Sequence, residues 1–210
     1  MASKQKKLLK KQAKQAKKAA SKPKKKPVIK PKHKKKWFTV LAPVEYNSVV
    51  VGESMAADAD SLKNRIVKMN LMTVTRNMKK QNIIVKFRIK DVKGDKAETE
   101  LVAYDMNLSY VKRLAKRSKE KIDDSFVTVT KDEVKIRVKP VLFTKSHTTN
   151  GVLTDLRKGA QEFIAKYAKD KTFTQFVSAL NAGEIQREMK GALKKVYPVS
   201  IAEIRALIRV

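Results

Sequence analysis

Residues 82–104, NIIVKFRIKDVKGDKAETELVAY, decide the fold. Ile83, Val85, Phe87 and Ile89 recur at period two, so a strand over 82–92 has one apolar face. The alternate positions, Lys86, Arg88 and Lys90, make its other face cationic. Lys93-Gly94-Asp95 is turn chemistry and 97–104 returns as a second strand, which predicts a hairpin.

Working outward, the same pattern recurs downstream. SFVTVT (125–130), the turn 131–133 and VKIRVKPVLF (134–143) predict a second hairpin. Val134, Ile136 and Val138 form its apolar face, with Lys135, Arg137 and Lys139 opposite. Pro140 near its end suits an edge strand, since proline donates no ladder hydrogen bond. Upstream, 37–41, 47–52 and 65–72 read as shorter strands. A helix over 107–121 separates the hairpins, with Leu108, Val111, Leu114 and Ala115 as its stripe.

The last third changes period. Residues 154–169 put Leu156, Ala160, Phe163, Ile164 and Tyr167 on one helical face. Thr172 and Gln175 form a capping box for a second helix, which Gly183 ends. A third, over 184–196, buries Ile185, Met189, Leu193 and Val196 and stops before Pro198. In a final strand over 199–210, Ile204, Ala206, Ile208 and Val210 alternate with Arg205 and Arg209. The expected class is α+β: an antiparallel curled sheet or partial β-barrel with a helical C-terminal layer. No linker interrupts 37–210, which reads as one domain.

Across 210 residues, 50 Lys and Arg face 20 Asp and Glu, for a net charge of +30. Residues 1–36 hold 17 of the lysines and no acid, so they carry +17 and the remainder +13. That segment has too few large apolar residues to offset chain entropy, and it reads as a disordered Lys-rich tail. Pro23, Pro27 and Pro31 favour extended backbone in its second half. No apolar core of a signal peptide follows the basic stretch and no run is long enough to span a bilayer, so a soluble intracellular protein is expected.

The charge points to a polyanionic partner, with no membrane and no small-molecule substrate expected. Without cysteine there is no disulfide, thiolate metal site or Cys nucleophile. The six glycines never form a phosphate-binding loop, and no nucleophile elbow occurs. His33 lies among lysines, and His147 in a loop reads as an exposed or RNA-facing side chain. The carboxylate pairs Asp58/Asp60, Asp123/Asp124 and Asp132/Glu133 sit where Asp caps helices or closes turns. Trp37 opens a strand and reads as a core or domain-edge anchor. No cofactor, metal or catalytic residue is expected, and the chain does not read as an enzyme.

What remains is the geometry of the cations. Same-face residues on a strand lie about 6.6–6.8 Å apart, near a single-strand phosphate spacing. The triplets Lys86/Arg88/Lys90 and Lys135/Arg137/Lys139 therefore suit a phosphate backbone. On helix 107–121, Lys112, Arg113, Lys116, Arg117 and Lys119 face only Glu120. Expected RNA contacts are the two triplets and Lys112, Arg113, Lys116 and Arg117, together with Lys24, Lys25, Lys26, Lys34, Lys35 and Lys36 of the tail. Arg88 and Arg137 are expected to be strongest, because guanidinium can engage phosphate bidentately. No aromatic-studded motif accompanies the charge, so backbone and shape reading of structured RNA is favoured. A DNA-compacting chromatin protein with a Lys-rich tail is the alternative.

Lys35-Lys36-Trp37-Phe38-Thr39-Val40-Leu41-Ala42-Pro43 resembles the opening of the eukaryotic and archaeal small-subunit ribosomal protein family called "S-one-e" or "S-three-A-e". The same order of motifs follows: Val51-Gly52-Glu53, Leu62-Lys63-Asn64-Arg65 and Val92-Lys93-Gly94-Asp95, then Asp105-Met106-Asn107-Leu108, Phe143-Thr144-Lys145 and Tyr197-Pro198. The resemblance covers about 35–210. After Lys145 the family's basic run is replaced by Ser146-His147-Thr148-Thr149-Asn150-Gly151. The absence of an acidic extension after Val210 suggests an archaeal-type member. The resemblance implies a structural constituent of the cytoplasmic small ribosomal subunit. Its implied partners are small-subunit rRNA and neighbouring ribosomal proteins, on the platform near the rRNA 3′ end and the mRNA exit, with mRNA close by.

Overall fold

The computed structural model describes residues 35–210, so the tail lysines Lys24, Lys25, Lys26 and Lys34, His33 and the expected disorder lie outside the described residues. One sheet contains β1 (Lys36–Leu41), β2 (Val50–Ala56), β3 (Ile66–Asn70), β4 (Ile83–Lys93) and β5 (Lys96–Met106). It continues through β6 (Lys121–Asp123), β7 (Phe126–Val129), β8 (Lys135–Thr144) and β9 (Val199–Arg209). The helices are α1 (Leu71–Thr75), α2 (Leu108–Leu114), α3 (Asn150–Asp170), α4 (Phe173–Ala182) and α5 (Glu184–Leu193). The α+β class and the helical C-terminal layer stand as expected.

The sheet runs β2-β1-β5-β9-β8-β6, with β4 on β5 carrying β3, and β7 on β8. Every pairing is antiparallel except β1 with β5, where Thr39–Leu41 lie parallel to Lys96–Glu98. That seam makes the sheet mixed. Thr99 Oγ1 locks it by donating to the Leu41 carbonyl at 2.7 Å. The path β2-β1-β5-β4-β3 curls until Arg65, beside β3, donates to Ser54 Oγ of β2 at 2.7 Å. The result is a partial barrel that does not close.

Burial follows the period-two pattern. Val85, Phe87, Ile89, Ile136 and Val138 are fully buried, and they pack in one core with Leu156, Ile164, Phe176, Ile185 and Met189 of the helices. The capping box forms with both of its hydrogen bonds, and Gly183 adopts a left-handed φ of 79° between α4 and α5. The hairpin turn contributes a second cap, because Asp132 Oδ2 accepts from the Phe173 amide at 3.0 Å.

Several expectations need correcting. The strand expected at 47–52 starts at Val50, because Asn47 and Ser48 take left-handed turn conformations. The strand over 65–72 gives way to α1 at Leu71, where Asn70 Oδ1 accepts from the Met72 amide and starts a helix. The helix over 107–121 stops at Leu114, where only Ala115 of the apolar stripe remains before Lys116, Arg117, Lys119 and Lys121, and 121–123 pairs with β8 instead. Pro140 is not in an edge strand. It sits in central β8, at a bulge against β9 and in the gap between the β7 and β6 pairings, where no ladder donor is needed. The same bulge breaks the alternation of β9: Leu207 is buried beside Ala206, and Val210 is 65% exposed. Of the two readings of Trp37, the core one falls and the edge one stands, since it is 62% exposed near the start of β1 opposite Met55.

Glu203 of β9 is half-buried. Burial pushes the Glu203 carboxyl above its ordinary range, partly offset by the Gln186 amide. The folded state then holds that proton more tightly than the unfolded chain, so stability falls as pH rises through the raised value. Glu203→Gln is expected to raise the melting temperature at pH 7. At about pH 3, where Glu is protonated in both states, the gain should vanish. An equal gain at both pH values would indicate packing instead of charge.

Candidate nucleic-acid interface

Strand pairing settles which cations share a face. Lys86 stands opposite Ala103, Ala103 opposite Ile208, and Ile208 opposite Arg137, making one row across four strands. The next row is Ile84, Asp105, Ala206 and Lys139. Both triplets therefore project from the face away from the helical layer. Three strand spacings separate Lys86 from Arg137, roughly 14 Å.

Their surroundings differ. Lys86 Nζ meets Asp105 Oδ2 at 2.5 Å, and Arg88 Nη2 meets Glu100 Oε1 at 2.5 Å. Glu100 also receives Arg209 Nη1 at 3.1 Å. Acids of β5 thus neutralise two of the three β4 cations, while Lys90 stays exposed. On β8, Lys135 and Arg137 are exposed and Lys139 is half-buried. Among the described residues no carboxylate comes within ion-pairing distance of any of these three.

The other part of the outer face is covered by α2. Val111, Tyr110 and Leu114 pack on Met106, Val141, Phe143 and Ile201 in a small second core. This packing turns Lys112 and Arg113 outward, and Lys116 and Arg117 follow in an exposed loop. The guanidinium of Arg113 lies over the Tyr110 ring, 5.7 Å from its centroid. Glu120 does not counter this group, because it is bonded to His147 Nδ1 at 2.6 Å. Lys119 turns aside to Ser200 Oγ at 2.7 Å.

Between α2 and β8 lies a cavity of about 260 Å³ lined by Asp105, Met106, Leu108, Lys139, Arg205 and Ala206. It places Lys139 of the β8 triplet beside Leu108 at the start of α2. The β9 bulge brings Arg205 here, with its Nε buried and without a hydrogen bond, ion-paired at 3.7 Å with Asp123 Oδ1. Sequence reading placed Arg205 only in an alternation with apolar residues. Its place beside Lys139 depends on inter-strand register, which no local pattern carries. Lys35 and Lys36 are exposed at the start of β1.

The paired carboxylates have local partners. Asp60 pairs with Lys63, and Asp124 accepts from Gln161 Nε2. Among the described residues no group of three or more potential metal ligands assembles, and no helix is long and apolar enough to cross a membrane.

Fold and surface define a class: a basic α+β protein with a partly curled sheet, whose conspicuous surface is a charged face and not a catalytic cleft. Comparison with known proteins makes it specific. The ribosomal S3Ae family model matches residues 23–207. The chain is similar to the small ribosomal subunit protein eS1 of Nanoarchaeum equitans, 34% identical over 82% of this chain and 87% of that one. The corresponding protein of Thermoplasma volcanium is 34% identical, over 82% and 80%. That of Halorubrum lacusprofundi is 30% identical, over 84% and 82%. The chain belongs to the ribosomal S3Ae family, as an archaeal-type member, and is a ribosomal protein rather than an enzyme.

Proposed function

We propose that the chain is a structural constituent of the small ribosomal subunit in the cytoplasm and holds small-subunit rRNA through phosphate contacts. The observation that carries the rRNA reading is the group Lys135, Arg137, Lys139, Lys112, Arg113, Lys116 and Arg117. These cations lie around one outer face without an acidic partner, although the protein already carries +30. Uncompensated cations repel each other, and bound phosphate removes that cost. The relatives named as small ribosomal subunit proteins supply the identity of the RNA and the neighbouring ribosomal proteins as partners.

Within this reading Arg137 ranks above Arg88, whose guanidinium Glu100 already occupies. Lys86, Arg88 and Lys90 form the flank. The platform near the rRNA 3′ end, with mRNA close by at its exit, is the position that the family resemblance implies. The relatives named above are ribosomal proteins, which favours this reading over the chromatin alternative. Sedimentation of a lysate through a sucrose gradient tests the assignment. The protein should travel with the small-subunit peak, and co-migration with DNA away from that peak would defeat it.

In this proposal the lysines of residues 1–34 neutralise further rRNA phosphates, and removing these residues spares β1, which begins at Lys36. Their removal should leave the melting temperature of the body unchanged. The salt dependence of rRNA binding should become shallower, by about 0.7–0.9 in log–log slope for each phosphate the tail neutralised. An unchanged slope would show that the tail does not touch RNA.

A further inference from the structure

On the helical side of the sheet, away from the cationic face, the turn at 44–49, α1 and α4 enclose a cavity of about 350 Å³. That is the size of a small-ligand site. Its floor holds two buried polar atoms that make no hydrogen bond, Tyr46 Oη and Asn181 Oδ1. Tyr46 is only 4% exposed, and its ring is held edge-on to Phe87 at 5.4 Å between centroids. The neighbouring Asn181 amide does not complete a bond to the hydroxyl, and burial pushes the Tyr46 pKa up to about 12. A neutral phenol is thus held ready to donate in a space where leaving polar atoms unpaired is costly.

The walls and mouth narrow the ligand. Val49 and Val74 make apolar sides, Glu45 offers an acceptor, and exposed Arg76 stands at the rim. Of the lining residues, Asn47 and Arg76 hold left-handed backbone at φ 57° and 52°. Conformations of this kind cost energy in residues other than glycine and collect at binding sites. An amide offers a donor and an acceptor side by side, which matches the amine-bearing edge of adenine. A carboxylate nearby accepts from the same exocyclic amine, and an arginine at the mouth suits the attached phosphate. Single-stranded RNA is read in this way, by bases splayed out of the helix.

We propose that this cavity receives one unpaired adenine of the bound RNA. The proposal rests on the rRNA-binding reading above and adds a base-reading site to a surface otherwise reading only phosphate. Tyr46 and Asn181 hold the base edge, and Arg76 holds the phosphate.

The test is NMR titration of the full chain with adenosine 5′-monophosphate, uridine 5′-monophosphate and inorganic phosphate in parallel. Adenosine monophosphate should shift the Asn181 side-chain amide and the Val49 and Val74 methyls saturably, and more tightly than uridine monophosphate. Phosphate alone should leave those signals in place. Ser178 lines the cavity from an exposed position on α4, so Ser178→Phe fills the space without touching the core. That variant should lose at least about tenfold in adenosine monophosphate affinity, the order of one specific base contact. No saturable shift, equal affinity for the two nucleotides, or an unaltered titration in a folded Ser178→Phe protein would overturn the proposal. Binding of the unmodified chain to small-subunit rRNA, measured separately, distinguishes failure of the cavity from failure of the rRNA reading.

Discussion

Replacing Arg137 and Lys139 together by glutamine is expected to weaken binding of the full-length protein to small-subunit rRNA by about 10- to 100-fold. The range follows from losing two charge-assisted contacts, each commonly worth more than 1 kcal/mol. The log–log salt slope should fall by about 1.5 at the same time, because two phosphates are no longer neutralised. Two controls separate position from net charge. Lys10→Gln with Lys17→Gln removes the same charge from the tail, and Arg88→Gln removes a cation that Glu100 already pairs. Filter binding across a salt series should rank the β8 pair as most damaging. Equal, small losses from all three proteins would mean that the strand cations are only solvated.

The second large effect is on stability. Phe87→Ala should destabilise the domain by about 3–5 kcal/mol, the usual cost of removing a buried aromatic ring from a core that cannot collapse around the space. Phe87 is fully buried and supports the ring of Tyr46 from below. For a domain of this size the melting temperature should drop by the order of 10 °C. Calorimetry reads the loss directly. A drop within about 1–2 °C would show that the ring is not part of the packed core, since exposed substitutions usually cost no more than about 0.5 kcal/mol.

The two hairpins were legible because their cause is local. A strand buried on one side must alternate, and Val85, Phe87, Ile89, Ile136 and Val138 alternate without interruption and are all buried. The capping box at Thr172 and Gln175 was legible for the same reason, since both of its hydrogen bonds span three residues. Helix 107–121 was overextended because Lys112, Arg113, Lys116 and Arg117 are acceptable helix formers one at a time. The structure ends that helix where the apolar stripe ends and returns Ile122 to the core. Pro140 misled because the rule for proline concerns a missing donor, and a bulge meets it in a central strand as well as an edge does.

The α+β class, the inward residues of the long strands and the helices, the concentration of charge and, through ordered motifs, the family are all legible in the amino-acid sequence. Each of these is written in neighbouring residues or in composition. Which cations are free follows from the folded sheet alone. Register across β4, β5, β9 and β8 places Asp105 and Glu100 beside Lys86 and Arg88, and leaves Arg137 and Lys139 without an acid. A bulge sets Arg205 beside Lys139, paired with Asp123, and the fold of three distant segments makes the cavity over Tyr46 and Asn181. Charge pairing depends on distance through space, and residues far apart in the chain come within a few ångströms of each other only when the sheet forms.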